Sequence, residues 1–278
     1  MTEEGQEEEP MPPVLARARA SDIRTDPFPH IVIPDALPSK DYTRLAAAFP
    51  PFERIAGKCS GQLPSNRRHP MLAHSILRAP DLADCWKAFV RQHSGPAFLE
   101  RVGELFRGYW PTAILAELEG RFSGHTVERL NLAVSSQSKI MQDARIEINT
   151  PVHGAPSSSR GPHLDQASRI FSGLFYMRAP EDDSEGGELV LYRWKRGGVG
   201  NIGAYELPGD DVEAVVRIPY RANQLVLFPQ GIDALHGVGM RYPTPHFRRY
   251  VFITAELDHD WLYPPRVHDD LGRKAAQV

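Results

Sequence analysis

Two rhythms of apolar residues divide the chain. Up to about residue 120 the apolar positions suit helices, and beyond it they come in short runs of strand length separated by turn residues. In the first part, residues 28–34 read as a short strand closed by Pro34, and Pro38 with Ser39 opens a helix that runs to about residue 49. Residues 50–80, rich in Pro, Gly and Arg, read as irregular. Residues 81–92 read as a helix whose Trp86, Phe89 and Val90 form a partly apolar face, and 97–106 and 113–119 as further helices. In the second part, Arg145, Glu147 and Asn149 alternate along a strand and so share one of its faces. Further strands are expected at 170–177, 187–192, 212–218, 224–229 and 248–254. Helices first and strands second is an α+β order, and the regular spacing of short strands points to a sandwich or jelly roll.

Charge and cysteine usage narrow the function classes. The net charge of the 278 residues is −3 with no long basic stretch, so nucleic acid is not an expected partner. The two cysteines, Cys59 and Cys85, have no metal-like spacing, which favours a reducing compartment without a disulfide framework. No basic-then-apolar leader and no apolar run of membrane-spanning length occurs, so the expectation is a cytoplasmic protein with no membrane partner. Residues 1–12, with five glutamates, are expected to be a disordered acidic tail. The oligomeric state is left open.

The chemistry is concentrated at Gly161-Pro162-His163-Leu164-Asp165 and at His236. His163 and Asp165, two apart on a strand end, point the same way, and a distant strand has to bring His236 to them. Two imidazoles and one carboxylate on one face of a metal leave about three of six octahedral positions open, which suits Fe(II) that must take a co-substrate and O₂ together. A lone H-x-D would be weak evidence; the ordered strands downstream raise it. His153, at the end of the strand before this motif, can face the same pocket, whereas the remaining histidines read as structural or solvated. Residues 151–162 are either a lid beside the metal or a plain solvent loop. The Gly-rich 196–200 lacks the strand–loop–helix context of a phosphate loop and reads as a strand connection.

Pro162-His163-Leu164-Asp165, Leu174-Phe175-Tyr176, Gly186-Gly187-Glu188-Leu189, Leu225-Val226-Leu227-Phe228-Pro229, His236-Gly237-Val238 and Arg249-Tyr250 occur in an order that resembles the Fe(II)/2-oxoglutarate-dependent dioxygenases, in their prolyl-hydroxylase-like branch. The resemblance spans roughly 125–257. It implies Fe(II), 2-oxoglutarate and O₂ as cofactors, with His163, Asp165 and His236 as iron ligands. Arg249 would pair with the remote carboxylate of 2-oxoglutarate, Tyr176 would hydrogen-bond it, and Leu174, Leu189 and Val238 would form apolar walls. The basic residue lies farther from the second histidine than in the family, which puts Arg248 in play; Arg249 is preferred because it shares a strand face with Val251 and Ile253. The implied fold is a double-stranded β-helix core over 125–260, with a helical support region over 13–124 packed on the major sheet and a C-terminal tail over 261–278. A carboxylate at 165 argues against halogenation.

The expected reaction is hydroxylation of an unactivated C–H bond of a small polar molecule, an amino acid or a natural-product intermediate. Arg145, Glu147, Asn149 and Arg169 are its candidate contacts. The alternatives are the same cofactors acting on a peptide or protein residue, or in desaturation or cyclisation, and a β-helix protein that binds metal or ligand without turnover.

Overall fold

Helical periodicity in the N-terminal part produces one layer of helices, and the alternating strands beyond it produce the sheet against which that layer packs. The computed structural model describes residues 10–58, 61–130, 139–195 and 203–263. The helices are α1 (Ser39–Ala47), α2 (Phe52–Ala56), α3 (Ala73–Arg78), α4 (Asp84–His93), α5 (Pro96–Leu105) and α6 (Thr112–Glu117). In α4, Trp86, Phe89, Val90 and His93 recur at helical spacing and are all buried. Pro96 opens α5, where its missing N–H costs nothing. The 50–80 segment is more regular than its composition suggests: it holds α2, an edge strand and α3. Tertiary pairing overrides weak local propensity there.

The strands are β1 (Ile31–Ile33), β2 (Arg68–Met71), β3 (Val127–Arg129), β4 (Ile140–Asn149), β5 (Arg169–Tyr176), β6 (Leu189–Trp194), β7 (Val212–Ile218), β8 (Gln224–Pro229), β9 (His236–Val238) and β10 (Arg248–Leu257). Seven form a large sheet in the order β1-β8-β5-β10-β4-β2, with β3 added to β4. The other three form a small sheet, β7-β6-β9. Two strands of the large sheet, β1 and β2, come from the helix-rich N-terminal part.

Register decides which residues face the site. Tyr250 of β10 stands opposite both Glu147 of β4 and Tyr176 of β5, and Phe252 stands opposite Arg145 and Leu174. Directly opposed residues share a face, so Arg248, Tyr250, Phe252 and Thr254 lie with Asn149, Glu147, Arg145 and Asp143 and with Tyr176, Leu174 and Ser172. This is the inner face. The other face is covered by helices: Phe175 stacks on Phe89 of α4 with ring centroids 5.7 Å apart, and Phe171 meets Phe98 of α5 at 6.3 Å. Burial on both faces of the central strands explains why β5 and β8 read as unbroken apolar runs.

Expectations for residues 1–9, Cys59, the 196–200 connection and the end of the chain from 264 lie outside the described residues. No helix among the described residues is long and apolar enough to cross a membrane.

Candidate metal centre and co-substrate pocket

His163 and His236 are brought together by backbone pairing. The His163 N–H donates to the His236 carbonyl at 2.8 Å and the His236 N–H donates back at 3.0 Å, an isolated antiparallel bridge. Gly237 permits this approach, because a Cβ there would lie 2.6 Å from the Gly161 carbonyl oxygen. Each imidazole is then fixed from behind. His163 Nδ1 is 2.8 Å from the Gly161 carbonyl and His236 Nδ1 is 3.0 Å from the Ala234 carbonyl. A carbonyl accepts only, so Nδ1 carries the proton and Nε2 keeps its lone pair for a ligand.

The third donor, Asp165, lies 3.6 Å from His163 Nε2 through Oδ1 and 3.7 Å from His236 Nε2 through Oδ2. One donor atom from each of the three buried residues falls within 4.8 Å of the others, the spacing needed to hold a metal ion. Ser172 Oγ donates to Asp165 Oδ2 at 2.5 Å, and Gln230 Nε2 donates to the Asp165 backbone carbonyl at 3.0 Å. Burial alone would raise the Asp165 pKa, but His236, His163 and Arg169 together hold it well below the usual carboxylate range. Burial pushes His236 down to about 4, so it is neutral at pH 7. For His236 and Asp165 these are the protonation states that metal binding requires.

Farther along the inner face a guanidinium and a buried tyrosine hydroxyl stand together. Among the described residues, no hydrogen-bond partner meets the buried Tyr176 hydroxyl. The Arg248 guanidinium lies 5.1 Å from the Tyr176 ring, 4.3 Å from Tyr220 and 5.9 Å from Tyr250, and its Nη1 donates to the Gly187 carbonyl. Gly187 leaves room for it, since a Cβ there would come within 3.0 Å of Arg248 Nη1. The arginine on the inner face is therefore Arg248, not Arg249. Arg249 shares a face with Val251 and Ile253, as expected, but that is the helix-covered face, where its guanidinium sits over the Phe49 ring at 5.1 Å. With Tyr176 opposite Tyr250, alternation places odd-numbered residues of this part of β10 outside.

The other expected residues divide. Leu174 lies on the inner face beside the pocket, while Leu189 and Val238 pair across β6 and β9 on the same side as His236. Arg145, Glu147 and Asn149 are on the inner face, but the first two are engaged with each other. Arg145 Nε donates to Glu147 Oε1 at 2.8 Å and its Nη1 pairs with Asp143 at 3.3 Å, while the Tyr250 hydroxyl donates to Glu147 Oε2 at 2.6 Å. Burial pushes the Asp143 carboxyl up to about 6, partly offset by Arg145. Arg169 is buried at the end of β5, with Nη2 3.5 Å from Glu256 and with Nε and Nη1 unpartnered. His153 does not join the site: its side chain is exposed and its carbonyl accepts from Ser65. The 151–162 segment is held by backbone pairs from Val152 to Thr244 and from Ser157 to Arg241. Ser172, Asp143 and Tyr220 carry no motif in the sequence, and Tyr250 stands in one with no role of its own. Ser172 alone left a signal, as a polar residue two and four places from Leu174 and Tyr176 in an otherwise apolar strand.

Residues 152–254 match a family model described as the 2OG-Fe(II) oxygenase superfamily. Among solved structures, the chain is similar to a Pseudomonas putida prolyl-4-hydroxylase, with 15% identity over 82% of this chain and 92% of that one and a TM-score of 0.39. It is also similar to a Trichoplax adhaerens prolyl hydroxylase solved with a hypoxia inducible factor peptide fragment, at 13% identity over 82% and 84% of the two chains and a TM-score of 0.42. A third similar structure is the non-heme alpha ketoglutarate dependent epimerase SnoN from nogalamycin biosynthesis, at 13% identity over 82% and 76% with a TM-score of 0.44. No curated protein sequence matches the chain.

Proposed function

The protein carries a 2OG-Fe(II) oxygenase domain over residues 152–254 and is a dioxygenase that works with Fe(II), 2-oxoglutarate and O₂; from that premise we propose that it hydroxylates an unactivated C–H bond of a small polar molecule. The core is read as a double-stranded β-helix, with residues 125–260 catalytic and 13–124 supporting them. His163, Asp165 and His236 would hold the iron, and the donor set suits it: two imidazoles and a carboxylate whose ligand atoms lie within 4.8 Å of one another. Arg248 and the Tyr176 hydroxyl receive the carboxylate of 2-oxoglutarate remote from the metal. The buried, unpartnered hydroxyl beside a guanidinium supports this, because an orphaned buried donor costs about 1–3 kcal/mol unless a ligand satisfies it. Bound iron with 2-oxoglutarate and O₂ supplies the oxidising power. The chain keeps the cofactors aligned, and Leu174, Leu189 and Val238 exclude water from the pocket.

The single observation that carries the substrate reading is the polar inner face of β4. Asp143, Arg145, Glu147 and Asn149 line it in succession, the first three bound into a network with Tyr250 and Arg68. Arg145 and Glu147 set the shape and polarity of the pocket in this reading, while Arg169, with Nε and Nη1 unpartnered among the described residues, and Asn149, whose Nδ2 reaches the Asn66 carbonyl only at 3.5 Å, contact the substrate. A compact ligand with several polar handles suits such a surface. The edges of the large sheet offer little to a peptide that would add as a strand: β1 is three residues long, and β2 is four with Pro70 among them. The test is a screen of amino acids, small metabolites and peptides with the iron-loaded enzyme, reading succinate release and product mass. Release coupled to a compact molecule gaining one oxygen is the expected result. Coupling to peptides alone overturns the substrate reading.

A further inference from the structure

Beside the metal ligands, on the side opposite Ser172, a second arginine takes no part in the machinery described above. Arg160 Nη1 lies 3.8 Å from Asp165 Oδ1, and among the described residues this is the carboxylate within ion-pair distance of it. Its guanidinium stacks on the Tyr205 ring at 4.7 Å, its Nε donates to the Tyr205 carbonyl at 3.1 Å, and its Nη2 reaches the Leu164 carbonyl only at 3.5 Å. Glu206, nearby, accepts from the Gly161 N–H at 2.8 Å. Tyr205 is 70% exposed, so the stack is open to solvent on its far side. A second cation stands close enough to act on Arg160 electrostatically: Arg68, at the edge of the inner face, with a side chain 53% exposed and Nε 3.5 Å from Glu147.

Once Asp165 gives its charge to a divalent ion, Arg160 keeps only Glu206, which stands beyond ion-pair distance and is already engaged by the Gly161 N–H. Arg160 is held in place by the Tyr205 ring and carbonyl. A half-buried guanidinium in that state is a receptor for anionic oxygens, which a planar fork binds through two parallel hydrogen bonds. On the proposal that the substrate is a small molecule, we infer that it is an anion, and that Arg160, supported by Tyr205 and Arg68, binds its carboxylate or phosphate next to the metal. The anchor fixes which carbon faces the iron, so Arg160 is a specificity-determining residue, while Arg145 and Glu147 remain the pocket's internal frame.

The experiment uses the full chain loaded with Mn(II) and 2-oxoglutarate, so that ligands bind without turnover. The probes are amino acids and hydroxy acids, each paired with its primary amide, together with sugar phosphates and short peptides, and binding is read by calorimetry. Acids are expected to bind and their amides to bind at least tenfold more weakly; the phosphates decide between the two anion classes. Arg160→Gln should weaken acid binding at least tenfold and Arg160→Lys less, with metal per chain as the control that the 160–165 segment is intact. If Arg160→Gln loses metal, Arg68→Gln, which lies on another element, takes its place and should lower acid affinity several-fold. The inference is overturned if no acid binds, if amides bind as well as acids, or if both Gln variants bind acids like the parent. Neutral small molecules that bind leave the small-molecule reading intact and remove only the anion. Peptides as the sole binders remove the small-molecule reading itself.

Discussion

Arg248 and Arg249 are adjacent in sequence and separated by a sheet in space. The first lies among three tyrosine rings on the inner face, and the second lies over Phe49 under the helices. If Arg248 anchors 2-oxoglutarate, Arg248→Ala should weaken its binding by about 1.5–3 kcal/mol, roughly ten- to a hundred-fold, through loss of a charge-assisted pair. Arg249→Ala should change that affinity less than about twofold, though it can cost stability by uncovering Phe49. Titrating 2-oxoglutarate into both variants decides, and the reverse pattern would exchange the two faces of β10. The sequence held enough to choose between them. Tyr176 and the arginine must share one face, and the alternating apolar residues Val251 and Ile253 mark the face that packs on helices. A strand buried on both sides hides that distinction, because Tyr250, Phe252 and Thr254 read as little more polar than their neighbours.

At the scale of elements, β9 is only three residues long, yet it sets the second histidine. Its position depends on Gly237, whose missing side chain lets the 161–163 segment pair with it. Gly237→Ala should push these segments apart, at a cost of about 1–3 kcal/mol typical of overpacking, and should lower metal content per chain even in the fraction that stays folded. Unchanged metal content together with an unchanged melting temperature would show that the pairing has slack. Strands β5 and β8 and the amphipathic helix α4 were legible from periodicity, and the clustering of His163, Asp165 and His236 from their spacing and context. Strand β2 and helices α2 and α3 were not. They form from a Pro- and Arg-rich stretch through pairing with β4, a contact between residues about eighty apart that no local window contains. The same holds for Asp143, whose Oδ1 accepts the Ala73 N–H at the start of α3.

Over the whole molecule, one buried histidine ties the N-terminal segment to the helical layer. His93 accepts the Val14 N–H through Nε2 at 3.0 Å, its Nδ1 is 2.7 Å from the Phe89 carbonyl, and its ring stacks on Phe89 at 4.0 Å. Burial pushes its pKa from 6.5 down to about 4, so the fold holds it neutral. A lowered histidine pKa gives stability that is complete above pH 6.5 and lost as the pH falls toward 4, up to about 3 kcal/mol from this group. Asp143, raised to about 6, acts in the opposite sense, since protonation favours its buried form. His93→Gln should be less stable than the parent at pH 7.5 but lose less between pH 6.5 and 4, as read from urea midpoints. Equal losses in the two proteins would assign the acid sensitivity elsewhere.

The bridge between residues 163 and 236 has a consequence for how the metal arrives. Two backbone hydrogen bonds, and not the ion, set the distance between the two imidazoles. Much of the entropy of gathering donors some seventy residues apart is therefore lost in forming that backbone pairing. An ion held by His163, Asp165 and His236 would in turn work as a latch, because β9 could not then part from the Asp165 segment without surrendering a ligand.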